Sequence, residues 1–377
     1  MARTAQAAVY EAPHGPFVLK SYPLRAARAG EVLVRVLMAT ICRSDIHSYE
    51  GRRPNPCPGI LGHEIIGVIE EIGGSVDKDM RGDTLRLGDR VTWSEYFGGD
   101  SYYRDVHDLP QKCQGVRKYG HDLADSDPHF LGGFAEYCYI MPGTAILKLP
   151  DALSDEEATP LNCAVATVAA VTEAAAIGLG DAVVVQGLGL LGLYGCAMAK
   201  ARGARLVIGL DVVPERLARA LSFGADHALN IAGETDGKVA CDHLGAGAAR
   251  ADVVARVRAL STPDGADAVI EVCGVPEVLP SGLEMLRTGG RYVLGGLVNP
   301  GANVNIDANV LVKRLLTMRG VHNYHPRHLI QALEFVMANR GRFPFKAIVE
   351  AKFPLCEVGV AFKKASERSV IRAAIVP

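Results

Sequence analysis

The apolar run Ala182-Val183-Val184-Val185-Gln186 passes directly into Gly187-Leu188-Gly189-Leu190-Leu191-Gly192, and a helix-compatible stretch follows over 193–201. A buried strand that turns on glycine into a helix must return by a crossover, which favours a parallel sheet. The same alternation continues along the chain. Apolar strands at 182–186, 205–210, 268–272, 291–294 and 316–321 are separated by Ala-rich helical segments. A glycine motif of this kind is weak evidence in a chain with 41 glycines, so its weight comes from context. Gly187, Gly189 and Gly192 would let backbone approach a pyrophosphate, and the helix N-terminus would supply partial positive charge. Asp211 closes the next strand about 20–25 residues on, where a carboxylate grips ribose hydroxyls. Its charge would repel a 2′-phosphate, so NAD is expected rather than NADP. Arg216, close by in sequence, either bonds the ribose or partly offsets Asp211.

The first 150 or so residues have a different texture. Short β-like runs at 31–37, 65–72, 90–93 and 134–140 are divided by Gly and Pro clusters, a barrel-like signature. The change comes at Ser154-Asp155-Glu156-Glu157, a capping-box pattern that opens a helix running on through Ala- and Val-rich sequence to 177. Glu173 interrupts that run and Gly178 bounds it, so it is too short to span a membrane. The segment 232–252 is Gly/Ala-rich and predicts a surface insertion. A helical stretch at 326–338 leads into a tail expected to rejoin the first domain. With 377 residues, about two domains are expected. A net charge of −2 without basic stripes excludes a nucleic-acid-binding surface. The N-terminal residues lack the apolar core of a signal peptide. Nine cysteines, an odd number spread along the chain, do not form a disulfide framework. A reducing cytoplasm is the expected location.

Residues 41–70 read ICRSDIHSYEGRRPNPCPGILGHEIIGVIE. A thiolate, Cys42, and the pair His63-Glu64 flank a Gly/Pro-rich loop, and sulfur with imidazole nitrogen suits Zn²⁺. Singly, Cys42 also fits a buried apolar cysteine and His63 a core histidine. Ser44 and His47 lie close to the thiolate and offer a proton a way out. Two ligands and a carboxylate do not complete a tetrahedral site. Cys163, at the start of the apolar helix, is the best candidate for the missing ligand.

With GHE before an apolar strand, LGDRV, GGFAEY, the Cys163 helix, GLGLLG and the return segment in this order, the chain resembles the zinc-dependent medium-chain alcohol dehydrogenases over essentially its whole length. The resemblance implies a GroES-like β-rich catalytic domain (1–164 and 323–377) and a Rossmann doubly wound parallel sheet (165–322). The cleft between them would hold zinc and nicotinamide. It makes Cys42, His63 and Cys163 the catalytic zinc ligands. Glu64 becomes the acid that approaches the metal or completes its shell, and Asp45 the carboxylate that orients the histidine ligand. Arg43 matches a pyrophosphate contact and Thr167 a residue packed at the nicotinamide. The implied reaction is reversible hydride transfer between an alcohol and NAD, with zinc as Lewis acid. Ser44 would take the alcohol proton, and His47 would pass it on through the cofactor ribose. A homodimer or homotetramer is implied, pairing near 316–321.

The chain also departs from the family pattern. Many members hold a structural zinc on four cysteines in the lobe after 90–93. Here only Cys113 remains, and Gly99, Tyr102 and Asp105 occupy the other positions, so one zinc per chain is expected. Asp105, His107, Cys113 and His121 form an irregularly spaced alternative. Packing of Tyr96, Phe97, Tyr102 and Tyr103 is the simpler way to hold the lobe. The strings LPQKC, KYGHD and RGVHNY resemble a subgroup assigned to phosphonate metabolism. In that reading Arg52, Arg53, His322, His325, Arg327 and His328 would add positive charge for an anionic alcohol. Two rivals stand beside the main reading. One is a zinc-free quinone or enone reductase, against which the four metal-site residues argue. The other is a non-catalytic nucleotide-binding homologue, against which Ser44 and His47 argue.

Overall fold

The computed structural model describes residues 3–232, 247–262 and 264–377. The chain divides into two compact units, one of residues 1–166, 325–337 and 345–377 and the other of residues 167–324 and 338–344.

The first unit is built on a seven-stranded sheet. Its order is Val349–Pro354, Arg372–Val376, Val32–Thr40, Glu64–Ile72, Arg90–Trp93 and Ile146–Lys148, with Tyr137–Ile140 also pairing on Val32–Thr40. Every pairing is antiparallel except that between the last two strands of the chain. The strand Val32–Thr40 reads VLVRVLMAT and is buried along most of its length. Such a near-continuous apolar run suits a strand covered on both faces. Its core partners include Ile65, Ile69, Val91, Trp93, Phe134, Phe362 and Ile375. A hairpin-like pair, Thr4–Tyr10 with Phe17–Pro23, adds Ala7, Val9 and Tyr10 to that core.

Register decides what meets at one end of this sheet. Thr40 lies opposite Glu64 on one side and opposite Ala374 on the other. The Ile41 N–H donates to the Ala373 carbonyl at 2.9 Å. Segments distant in sequence, around 41, 64 and 372, therefore meet at one end of the sheet. Cys42 then caps the helix Arg43–Tyr49.

The second unit is a six-stranded, wholly parallel sheet. Its order is His227–Asn230, Leu206–Asp211, Ala182–Gln186, Ala266–Glu271, Leu286–Leu294 and Thr317–Gly320. Counted along the chain, strands three, two and one are followed by four, five and six, so the order reverses beside the first strand. That is the doubly wound arrangement, with its ligand crevice at the strand carboxyl ends. Ala182–Gln186 is buried at every position and leads into the helix Leu190–Ala201 through Gly187 at φ +90°. A side chain at Gly192 would place its Cβ 1.8 Å from the Gly187 carbonyl oxygen. Only glycine allows helix and strand to close so tightly.

Three readings from the sequence change. The helix expected from 154 to 177 is broken into Asp155–Ala158, a π-turn at Leu161–Val165 and a helix at Ala166–Ala174. Pro160 interrupts the backbone ladder there. Of the proposed insertion 232–252, residues 233–246 lie outside the described residues, and 247–252 open the helix Gly247–Ser261. The strand read at 134–140 forms only over Tyr137–Ile140.

Candidate active site

All three proposed sulfur and nitrogen ligands lie in the first unit. The ligand atoms of Cys42, His63 and Cys163 are all within 4.8 Å of one another. Among the described residues this is the one group of His, Cys, Asp and Glu side chains so arranged. Each element presents its donor for a local reason. Cys42 is the N-cap of Arg43–Tyr49, and Asp45 Oδ2 accepts from the Cys42 N–H at 2.8 Å, as in a capping box. Asp45 Oδ1 accepts from the Gly62 N–H at 3.1 Å and lies 3.2 Å from His63 Nδ1. The fully buried Asp45 thus fixes both ends of the 42–63 loop and turns His63 Nε2 toward the sulfurs. Ser44 Oγ is 3.3 Å from that Nε2. Cys163 sits in the π-turn, and its neighbour Asn162 donates from Nδ2 to the His63 carbonyl at 2.9 Å and the Trp93 carbonyl at 3.0 Å. Single π-turns of this kind occur often at functional sites.

The electrostatics suit a cation. The Cys163 thiol donates to Cys42, holding the Cys42 thiol well below its usual value against the effect of burial; His63 and Arg372 add to this. Arg372 Nη2 is 3.8 Å from Cys42 Sγ. The donor set of two sulfurs and one imidazole, with a carboxylate behind the histidine, fits Zn²⁺ with an open position for substrate.

Glu64 does not join the donors. Its Oε2 accepts from Thr40 Oγ1 at 2.6 Å and from Arg372 Nε at 3.0 Å, and Oε1 accepts from Arg372 Nη2 at 3.1 Å. In this arrangement the carboxylate is held by Thr40 and Arg372 rather than turned toward the three donors. Burial pushes the Glu64 carboxyl up to about 7, although Arg372 opposes the shift. Arg372 and Thr40 were missed by sequence reasoning. Arg372 is 308 residues from Glu64, and no local signal marks an arginine near the end of a chain.

Arg43 and His47 stand half-buried on the helix Arg43–Tyr49. In the cysteine-poor lobe, Tyr102, Tyr103 and His107 pack together by their rings, and Phe97 packs on Tyr119. Asp105 pairs with Arg104. His121 lies against the metal-site histidine, its ring centroid 5.9 Å from that of His63. Burial, with the charge of Arg53, holds its imidazole well below the usual value. Asp105, His107, Cys113 and His121 are not brought together as a metal site.

In the second unit, Asp211 is buried at the carboxyl end of Leu206–Asp211. Its Oδ2 accepts from the Leu188 N–H at 2.7 Å, and Oδ1 accepts from the Val212 and Val213 N–H groups at 2.8 and 3.0 Å. It therefore braces the glycine turn as well as ending the strand. Arg216 Nη1 is 3.7 Å from Asp211 Oδ2. A Cβ at Gly189 would meet nothing within 4 Å, so this part of the turn is open. Thr167 is half-buried near the start of Ala166–Ala174.

A GroES-like unit and a doubly wound sheet, together with a Cys-His-Cys cluster, define a zinc-binding dehydrogenase. Residues 28–151 match the alcohol dehydrogenase GroES-like domain and residues 191–338 the zinc-binding dehydrogenase domain. An L-threonine 3-dehydrogenase from Pyrococcus horikoshii is 33% identical over 305 residues, 78% of this chain and 76% of its own. The chain belongs to this family of the medium-chain dehydrogenases. A 5-exo-hydroxycamphor dehydrogenase from Pseudomonas putida is 28% identical over 365 residues, 94% of this chain and 93% of its own. The crystal structure of an alcohol dehydrogenase from Thermotoga maritima is 28% identical, covers 100% of both chains and superposes with a TM-score of 0.91. The protein is accordingly a zinc-dependent enzyme that moves hydride between an alcohol and a nicotinamide cofactor. No helix among the described residues is long and apolar enough to cross a membrane.

Proposed function

We propose that this enzyme oxidises a neutral alcohol with NAD as hydride acceptor, using one zinc held by Cys42, His63 and Cys163. The observation that carries this reading is the donor cluster, three ligand atoms within 4.8 Å with Asp45 behind the histidine. Bound there, zinc would act as a Lewis acid on the alcohol or carbonyl oxygen. Ser44 Oγ, beside His63 Nε2, is suited to receive the alcohol proton, and His47 on the same helix to carry it onward. Asp45 orients His63, and the Arg372–Glu64 pair sets the charge behind Cys42. Glu64 remains a conditional ligand, which would require it to leave Arg372.

The second unit would bind the dinucleotide over Gly187, Gly189 and Gly192, with Arg43 on the pyrophosphate and Thr167 at the nicotinamide. A buried carboxylate at 211 favours free ribose hydroxyls over a phosphate, and Arg216 tempers that preference. An anionic, phosphonate-like alcohol has less support. His325 Nε2 lies 3.0 Å and Arg327 Nη1 3.2 Å from Asp108, and Arg52 pairs with Glu50. These partners offset the cationic charge that would favour such a substrate. A homo-oligomer pairing along the edge strand Thr317–Gly320 fits the exposure of Val312 and Leu315 just before it. The described cysteines are all free thiols, which suits a reducing cytoplasm.

The test follows absorbance at the reduced-nicotinamide band across alcohols and carbonyls, with NAD and NADP, before and after chelation. Turnover that depends on alcohol and is lost on chelation is expected. Chelator-insensitive turnover would overturn the reading.

A further inference from the structure

Glu271 takes no part in the chemistry above, yet its side chain is fully buried at the carboxyl end of Ala266–Glu271. A carboxylate taken out of water is costly unless its lone pairs are satisfied. Among the described residues it is met by backbone N–H groups rather than by a lysine or arginine. Oε1 accepts from the Gly274 N–H at 2.5 Å and Oε2 from the Gly296 N–H at 3.1 Å. The Glu271 carbonyl also accepts from the Gly295 and Gly296 N–H groups, at 2.9 and 3.1 Å. One residue thus fixes two loops, the one after its own strand and the one after Leu286–Leu294.

These loops approach closely enough to need glycine. Gly274 adopts φ +72°, and a Cβ there would lie 2.8 Å from the Gly296 carbonyl oxygen. A Cβ on Gly296 would lie 2.5 Å from the Gly274 nitrogen and 2.6 Å from Glu271 Oε1. In the turn after Ala182–Gln186, a Cβ on Gly187 would lie 2.5 Å from that of Cys273. Turns at the carboxyl ends of three neighbouring strands therefore abut one another, and Glu271 ties two of them together.

The strand order reverses at this place. Ala182–Gln186 and Ala266–Glu271 lie side by side, with Gln186 opposite Glu271. A doubly wound sheet takes a dinucleotide across the crevice at such a switch point, one mononucleotide to each half. Asp211 assigns the adenosine ribose to the half on its own side. The half that begins with Ala266–Glu271 is left for the nicotinamide mononucleotide.

We propose that Glu271 is a positioning residue for the nicotinamide half of the cofactor, acting through the loops it holds at Gly274 and Gly295–Gly296. This rests on the nucleotide-binding reading of the second unit. Asp211 makes its own bonds to Leu188, Val212 and Val213, so the adenosine half is braced separately. Glutamine at 271 keeps the shape but can accept from only one of the two N–H groups, while its amide NH₂ faces the other donor. Methionine removes both acceptors.

The experiment measures binding to the full-length zinc-loaded enzyme and to Glu271→Gln and Glu271→Met. NADH is followed by its fluorescence. ADP-ribose, which lacks the nicotinamide, is followed by titration calorimetry. Glu271→Gln should weaken NADH by about tenfold or more, the scale of a lost charge-assisted hydrogen bond, while ADP-ribose binding and zinc per chain stay unchanged. Glu271→Met should weaken NADH further. Gly274→Ala, which disturbs one loop and leaves the buried carboxylate in place, should also lower NADH affinity relative to ADP-ribose, and it tests the assignment even where a Glu271 variant fails to fold. Equal losses on both ligands, or no change in either, would overturn the assignment and leave Glu271 a general brace of the sheet. A wild-type enzyme that binds neither ligand would instead overturn the nucleotide-binding reading, and this inference with it.

Discussion

Replacing Arg372 by methionine keeps much of its volume and removes the charge that faces Glu64. The two side chains are 7% and 0% exposed, so solvent cannot compensate. Breaking a buried pair by removing one member costs ~3–5 kcal/mol. The pH dependence of that loss can be worked out. Burial raises Glu64 to about 7 even with Arg372 in place. Because the folded value lies above the unfolded one, the native state holds a proton that the unfolded chain releases. Stability is therefore greatest below about pH 4.5 and falls as pH rises, until Glu64 ionises near 7. In Arg372→Met the attraction is gone and the folded value rises further, so the decline continues through the alkaline range. Each pH unit above 7 then adds ~1.4 kcal/mol of loss relative to wild type, about 3 kcal/mol by pH 9. Urea unfolding of the metal-free protein at pH 5, 7 and 9 measures this directly. The difference between variant and wild type should be small at pH 5 and grow steadily above pH 7. The double variant Glu64→Gln/Arg372→Met should lose the extra slope. A difference that does not change with pH, or a double variant that keeps the slope, would refute the pairing and its role in burying Glu64.

Further outcomes follow from other residues. Asp45→Asn should weaken zinc binding by about 10–100-fold, read by competition with a chromophoric chelator. Undiminished affinity would remove Asp45 from behind His63. Metal analysis should find about one zinc per chain, lost in Cys163→Ser; a value near two would point to a second site. Asp211→Gly should raise the NADP/NAD preference ratio and also lower stability, because the Leu188 N–H loses its acceptor. An unchanged ratio would confine Asp211 to bracing the turn. Elsewhere in the first unit, Arg25 bonds Glu31 and Asp127. Asp127 is lowered by its bond to Arg25, and Glu31 is lowered by Arg25 despite burial. Folded values below the unfolded ones give stability that is present above about pH 4.5 and lost as pH falls through the folded values. Arg25→Met should flatten that acid limb, and an unaltered limb would count against the cluster.

Local sequence determined a good deal of this protein. The strand Ala182–Gln186 lies at the residues where its apolar run was read, because a five-residue run ending on glycine fits little else. The strand Arg90–Trp93 and the capping box at Ser154 are equally local, since a cap involves only the residues of one turn. Cys42, Asp45 and His63 were legible because they lie within one loop and its flanking elements. The tertiary structure decided the rest. Arg372 and Thr40 reach Glu64 only through the pairing of strands far apart in the chain, and that register places the carboxylate in a buried ion pair. The π-turn that presents Cys163 is held by Asn162 on the carbonyls of His63 and Trp93, partners that periodicity cannot name. Nothing near His121 in the sequence says that Gly120 packs on Gly62 and brings its ring against His63. Sequence patterns record which groups a segment can bury or cap, whereas sheet register and close backbone approach decide which distant groups meet.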